Sequence, residues 1–129
     1  KTTFFWLLTF INGDRDSLID AQTNSYLTSE GEDITVVCLF SSPGSRRLFC
    51  KETCEGENIL IETDRDEDKS GRYSIKYKKL DIGSSLLYVT ITKLKQSDSG
   101  LYRCGIHEEL GPDLEEIFEI IVTEGEFVP

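Results

Sequence analysis

The chain has 129 residues, 38% of them hydrophobic and 29% charged, which suits one domain with a real core and does not suit disorder. Its 24 acidic residues outnumber 14 basic ones, for a formal charge of −10. That balance excludes nucleic acid as the expected partner, because phosphate contacts need a surplus of lysine and arginine on one face.

The first element is "KTTFFWLLTFING": one lysine, an apolar run from Phe4 to Ile11 broken only by Thr9, then small and polar residues. This is the layout of a secretory signal, too short to span a bilayer as a helix. Ile11 and Gly13 fit a cleavage site after Gly13, so residues 1–13 are expected to be a signal peptide remnant. A buried strand is the other reading of the same run. Residues 14–124 are then the expected working domain and 125–129 the start of a stalk or linker, with any membrane anchor lying beyond Pro129.

From there the chain shows short segments of period two. "DITVVCLF" puts Ile34, Val36, Cys38 and Phe40 on one face, and "RYSIKY" does the same with Tyr73 and Ile75. "LLYVTITKL" offers Leu87, Val89 and Ile91, with Leu94 past a bend; "GLYRCGI" offers Tyr102, Cys104 and Ile106. "IFEIIVTE" offers Phe118, Ile120 and Val122, since the opposite register would bury Glu119. Turn signals fall between them at 41–45, 55–56, 64–71, 82–85, 97–100 and 111–112. Short strands with one apolar face each, separated by regular turns, describe an all-β sandwich of two antiparallel sheets.

Four cysteines behind a signal-like segment read as two disulfides in an oxidising compartment. Spacing alone permits three connectivities, but the strand pattern discriminates. Cys38 and Cys104 both face inward on different strands and form the natural cross-sheet pair, contributing roughly 4 kcal/mol by loop closure. Cys50 and Cys54 remain for each other, flanking a three-residue hairpin loop at a separation a disulfide can bridge. The expectation is a staple at the root of the loop that carries Arg46 and Arg47.

Other chemistries fit the residues less well. Zinc wants four Cys or His ligands in local pairs, and the chain has one such pair and a single histidine, His107. "DRDEDKSG" alternates Asp64, Asp66 and Asp68 like a calcium loop, but Lys69 and Ile75 stand where glycine and glutamate are required, so a solvated loop is expected. A redox thiol pair would need a depressed pKa; Arg46, Arg47 and Lys51 are nearby cations, but no helix is expected there. No serine sits in a nucleophile elbow. The expectation is therefore a binding domain with no catalytic residue, metal or cofactor.

"DSGLYRC", with Tyr102 two residues before Cys104, resembles the immunoglobulin variable-set (V-set) domain over about residues 18–123. "GEDITVVC" looks like its first-cysteine strand and "GRYSI" like the strand whose arginine pairs with the motif aspartate. The resemblance implies an immunoglobulin-like V-set sandwich with structural roles for Phe49, Arg72, Asp98, Gly100 and Tyr102, and an Arg72–Asp98 salt bridge closing the lower end. The pair Cys50 and Cys54, with "CGI" ending the far strand, is similar to leukocyte mono-immunoglobulin-like receptors and polymeric-immunoglobulin-receptor domains, bony-fish members in particular. In those families the second disulfide links the core-aromatic strand to its neighbour. Two departures stand out: Phe49 occupies the place of the core tryptophan, and the last strand lacks the Phe-Gly-x-Gly bulge, which weakens any expectation of antibody-like pairing.

The resemblance implies an extracellular ligand-binding domain of a leukocyte cell-surface receptor, anchored as a type I membrane protein by a segment outside this sequence, with a secreted form as a variant. Recognition is expected at the loop end, through "SSPGSRR" (41–47), the stretch 62–68 and "IHEELGPD" (106–113). Candidate ligand contacts are Ser45, Arg46, Arg47, His107, Glu108, Glu109 and Asp113, an arginine pair beside an acidic loop. The implied partner is a protein, an immunoglobulin or a lipid headgroup. The metal-assisted phospholipid sites of some relatives map onto this loop only at Asp113. Rival expectations are a transport domain for polymeric immunoglobulin, and an adhesion or pairing module using a sheet face around Ile117 and Ile121.

Overall fold

A computed structural model describes residues 23–125; the expected signal remnant at 1–13 lies outside them, as does all but Gly125 of the expected stalk. Among the described residues there are nine strands: β1 (Asn24–Ser29), β2 (Ile34–Phe40), β3 (Arg46–Lys51), β4 (Ile59–Thr63), β5 (Glu67–Ser70), β6 (Tyr73–Lys79), β7 (Ser85–Ile91), β8 (Gly100–His107) and β9 (Leu114–Thr123). They form a five-stranded sheet in the order β1-β9-β8-β3-β4 and a four-stranded sheet in the order β2-β7-β6-β5. Every pairing is antiparallel except β1 with β9, which run parallel, so the larger sheet is mixed at one edge.

The alternation read from the sequence is the alternation that is buried. Val36, Cys38 and Phe40 on β2, Leu87, Val89 and Ile91 on β7, and Phe118, Ile120 and Val122 on β9 all face the core. Ile75 and Tyr77 on β6 and Tyr102, Cys104 and Ile106 on β8 complete it. Phe49 is fully buried at its centre, its ring 5.7 Å from that of Tyr102, 6.4 Å from Phe118 and 6.3 Å from Tyr73. A phenyl ring therefore fills the tryptophan position by joining an aromatic stack, which adds to simple area burial.

Both disulfides pair as expected, Cys38 with Cys104 and Cys50 with Cys54. The first joins the two sheets. The second departs from expectation in two ways. Cys50 lies opposite Ile59 on β4, while Cys54 sits in the β3–β4 connection, so the bond folds a loop back onto β3 instead of tying two facing strand residues. It also lies at the far end of β3 from Arg46, where Lys51 pairs with Tyr102, so it does not hold the root of the 41–47 loop.

Three strands, β1, β4 and β5, fall outside the segments expected from alternation, and all three lie at sheet edges. β5 is almost wholly exposed, so "EDKS" carries no apolar alternation to read. β4 occupies part of the stretch 62–68 expected as a loop. That stretch is instead the end of β4, a bend at 64–66 and the start of β5.

The lower end, opposite the 41–45 loop, is closed by polar groups with defined partners. Asp98 is buried and receives both Nη1 and Nη2 of Arg72 at 2.9 Å, plus the Lys95 backbone N–H at 2.8 Å. Burial alone would push its carboxyl up, but the Arg72 and Lys95 hydrogen bonds outweigh that and hold it below the usual carboxylate range. The Tyr102 hydroxyl donates to the Asp98 carbonyl, and burial pushes that phenol well above its ordinary range. Gly100 adopts φ +147° between them, a conformation side-chain-bearing residues rarely take.

Candidate functional site

At the other end of the sandwich four connections converge: 41–45 between β2 and β3, 64–66 between β4 and β5, 80–84 between β6 and β7, and 108–113 between β8 and β9. Hydrogen bonds brace the 41–45 connection on 108–113 and on the strands beneath it. The Ser45 N–H donates to the His107 carbonyl at 2.9 Å and the Gly44 N–H to the Tyr77 hydroxyl at 3.0 Å. Ser85 Oγ donates to the Ser42 carbonyl at 2.9 Å, and Ser42 Oγ donates to Glu108. Gly44 lies so close to β8 that a Cβ there would stand 2.8 Å from the His107 carbonyl, which explains the absence of a side chain.

The candidate residues divide by where they sit. His107 Nδ1 lies 2.7 Å from Asp113 Oδ1, so these two close the base of the 108–113 loop on each other. Ser45, Glu109 and Asp113 are exposed, and Glu108 is half-buried against Ser42. Arg46 is half-exposed, paired with Glu62 at 3.3 Å.

Arg47 behaves differently from its neighbour. It is only 7% exposed, its guanidinium lies 3.6 Å above the Tyr77 ring, and Nη1 donates to the Asp64 carbonyl at 2.8 Å. Nη2 stands 3.7 Å from Asp66. Arg47 is therefore a packing residue beneath the 64–66 bend, and the two arginines do not form one exposed pair. Strand parity carried that signal: Arg47 is two residues from Phe49, so if Phe49 faces the core, so does Arg47.

With Arg47 buried, the rim around 108–113 is dominated by Glu108, Glu109 and Asp113, and both Arg46 and His107 already face carboxylates. The mixed polarity expected from an arginine pair thus becomes an acidic rim. Two tip residues lie outside the expected candidates: Leu110 is fully exposed in the 108–113 loop and Ile82 is 85% exposed in the 80–84 loop. Their neighbours, Gly111-Pro112 and Gly83, marked turns in the sequence, but nothing local shows that a turn's apolar residue will find no cover. Among the described residues the one grouping of three metal-ligand types is Cys38, Cys104 and Glu116, and its two sulfurs are tied up in the cross-sheet disulfide.

The family model for the immunoglobulin V-set domain matches residues 22–123. The chain belongs to the immunoglobulin V-set family. It is similar to the polymeric immunoglobulin receptor of mouse (Mus musculus), 25% identical over 115 residues covering 85% of this chain and 15% of that receptor. The chain thus spans a small part of the length of that relative. The solved structure of the second immunoglobulin domain of the mouse polymeric immunoglobulin receptor has a TM-score of 0.61 at 28% identity, over 81% of this chain and 99% of that one. NK cell receptor NKp44, described as a triggering partner in natural cytotoxicity, has a TM-score of 0.63 at 24% identity, over 78% and 97% of the two chains, a likeness of fold. This V-set domain is thus related to immune receptors, and those relatives are receptor domains rather than enzymes.

Proposed function

We propose that this V-set domain is the extracellular ligand-binding domain of a cell-surface immune receptor, held to the membrane by a segment outside this sequence, and that it binds through the loops 41–45 and 108–113. What carries the reading is the bracing of those loops: Ser45 to His107, Gly44 to Tyr77 and Ser42 to Glu108 order the surface before any ligand arrives. Ordering in advance reduces the entropy lost on binding. Glu109 and Leu110 then stand unpacked at its tip, an apolar contact beside carboxylates. Such a rim favours a protein surface carrying cations over a lipid phosphate, which the carboxylates would repel. The name of the mouse relative makes polymeric immunoglobulin the first protein to try.

The test is a multimer of the folded domain applied to immobilised polymeric immunoglobulin and to leukocytes. Replacing Glu109 and Leu110 with alanine should weaken whichever binding is seen at least tenfold with an unchanged melting temperature. Binding that survives this double substitution would place recognition elsewhere.

A second reading, pairing through the larger sheet, is supported by exposure of Ile117 and Ile121 at 39% each, with Leu27 directly opposite Ile121 and 74% exposed. Concentration-dependent dimerisation that is abolished by I117D/I121D and untouched by the loop substitutions would favour it.

A further inference from the structure

The outer face of the four-stranded sheet carries charge of the opposite sign to the molecule. On β6 the residues that alternate with the core-facing Ile75 and Tyr77 are Ser74, Lys76 and Lys78. Lys69 on β5 and Arg65 in the bend before it stand beside them, and all four of these cations are exposed. Together with Tyr88, Thr35 and Thr90 they line an open hollow of about 850 Å³. Arg46, Arg47, Arg72 and Arg103 all stand within 4 Å of carboxylates elsewhere in the fold. Arg65, Lys69, Lys76 and Lys78 pair with none at that distance among the described residues. Glu67 and Asp68 also line the hollow, so the cations hold an excess of two there. One Asp68 oxygen is already engaged by the Lys69 N–H at 2.8 Å.

We propose that this face binds a sulfated polysaccharide. Lys76 and Lys78 are two residues apart on one strand, about 7 Å, and Lys69 and Arg65 extend the line across the next strand. A line of flexible point charges suits sulfates spaced along an extended chain. The floor supplies what a sugar ring uses: the Ser74 hydroxyl, the Thr35–Thr90 hydroxyl pair, whose mutual 2.8 Å hydrogen bond leaves one proton and further lone pairs to offer, and the ring of Tyr88. Because the hollow is an open sheet face, a single small anion would be held at one edge only, whereas a polymer engages the whole row. Duplex nucleic acid would have to lay its dense charge across the rest of a chain with a formal charge of −10. The proposal does not depend on the loop-end reading.

The folded domain should be retained on immobilised heparin at 50 mM NaCl and should bind a heparin-derived decasaccharide in titration. The variant R65S/K69S/K76S/K78S should lose at least tenfold in affinity. Its log–log salt dependence should flatten by about two to three, at roughly 0.7 per lost contact as for a flexible polyanion. K93S/K95S, at the lower end, and E109A/L110A, on the loop rim, should match the unsubstituted domain. The four altered side chains are exposed, so the fold should persist; should it not, K76S/K78S reads the same effect at half size. Y88A should weaken the decasaccharide but leave the weak binding of inorganic sulfate unchanged. Flow-through at 50 mM NaCl, equal retention of the fourfold variant, or equal competition by polyglutamate of matched charge would each overturn the proposal, the last in favour of an acidic peptide.

Discussion

Each end of the sandwich sets an arginine against acidic groups, but only the lower pair is fully engaged. Arg72 and Asp98 meet through two parallel 2.9 Å hydrogen bonds, Arg72 Nη1 also donates to the Thr92 carbonyl, and the Lys95 N–H completes Asp98. At the loop end Arg47 is more deeply buried, yet it makes one good hydrogen bond, stands 3.7 Å from an exposed Asp66, and leaves Nε buried with no hydrogen-bond partner among the described residues. Its guanidinium rests instead on the Tyr77 ring. Stacking tolerates sliding where a two-pronged hydrogen bond does not. The contrast suits a lower end that fixes the fold and an upper end whose surface is left for contact.

The sharpest way to break this comparison is Asp98→Asn. Removing one partner of the buried pair should cost about 3 kcal/mol at neutral pH in urea unfolding. The folded-state pKa of Asp98 is depressed, so its contribution is present above the unfolded value of about 4 and fades as pH falls through the folded value. Unfolding curves of the two proteins should therefore converge well below pH 4. A gap that persists undiminished there would mean the carboxylate charge is not what holds the lower end.

Arg47→Met should have a smaller effect, a loss of about 1 kcal/mol in the same unfolding curves, because the stem still packs and exposed Asp66 is left in water. A loss as large as that of Asp98→Asn would show the upper end to be closed after all. Arg46→Ala, which breaks only an exposed pair with Glu62, should change stability by less than about 0.5 kcal/mol. If it proved as costly as Arg47→Met, the distinction between the neighbouring arginines would fail.

Much of this was legible in the chain. Val36, Leu87, Val89 and Phe118 announced their faces by alternation, because a strand with one wet and one buried side cannot hide its period. The motif Asp98-x-Gly100-x-Tyr102-x-Cys104 announced the lower end, since each of its residues has a backbone or charge duty that few other types perform. Arg47 follows a run of turn residues and so reads as part of the loop, yet it shares the parity of Phe49 on β3 and faces inward with it. β5 escaped notice because an edge strand with both faces in water has no hydrophobic pattern, only hydrogen bonds to β6.

Alternation and cysteine placement by themselves determined an all-β sandwich, its core faces and both disulfides. Only the tertiary structure decided which end the Cys50–Cys54 bond serves, that Arg47 packs on the Tyr77 ring beneath the 64–66 bend, and that Arg65, Lys69, Lys76 and Lys78 share one face. The physical reason is the same in each case. Burial by alternation is a local property, repeated every two residues, whereas the meeting of side chains from β3, β5, β6 and β8 depends on strand order and register, which no single segment encodes.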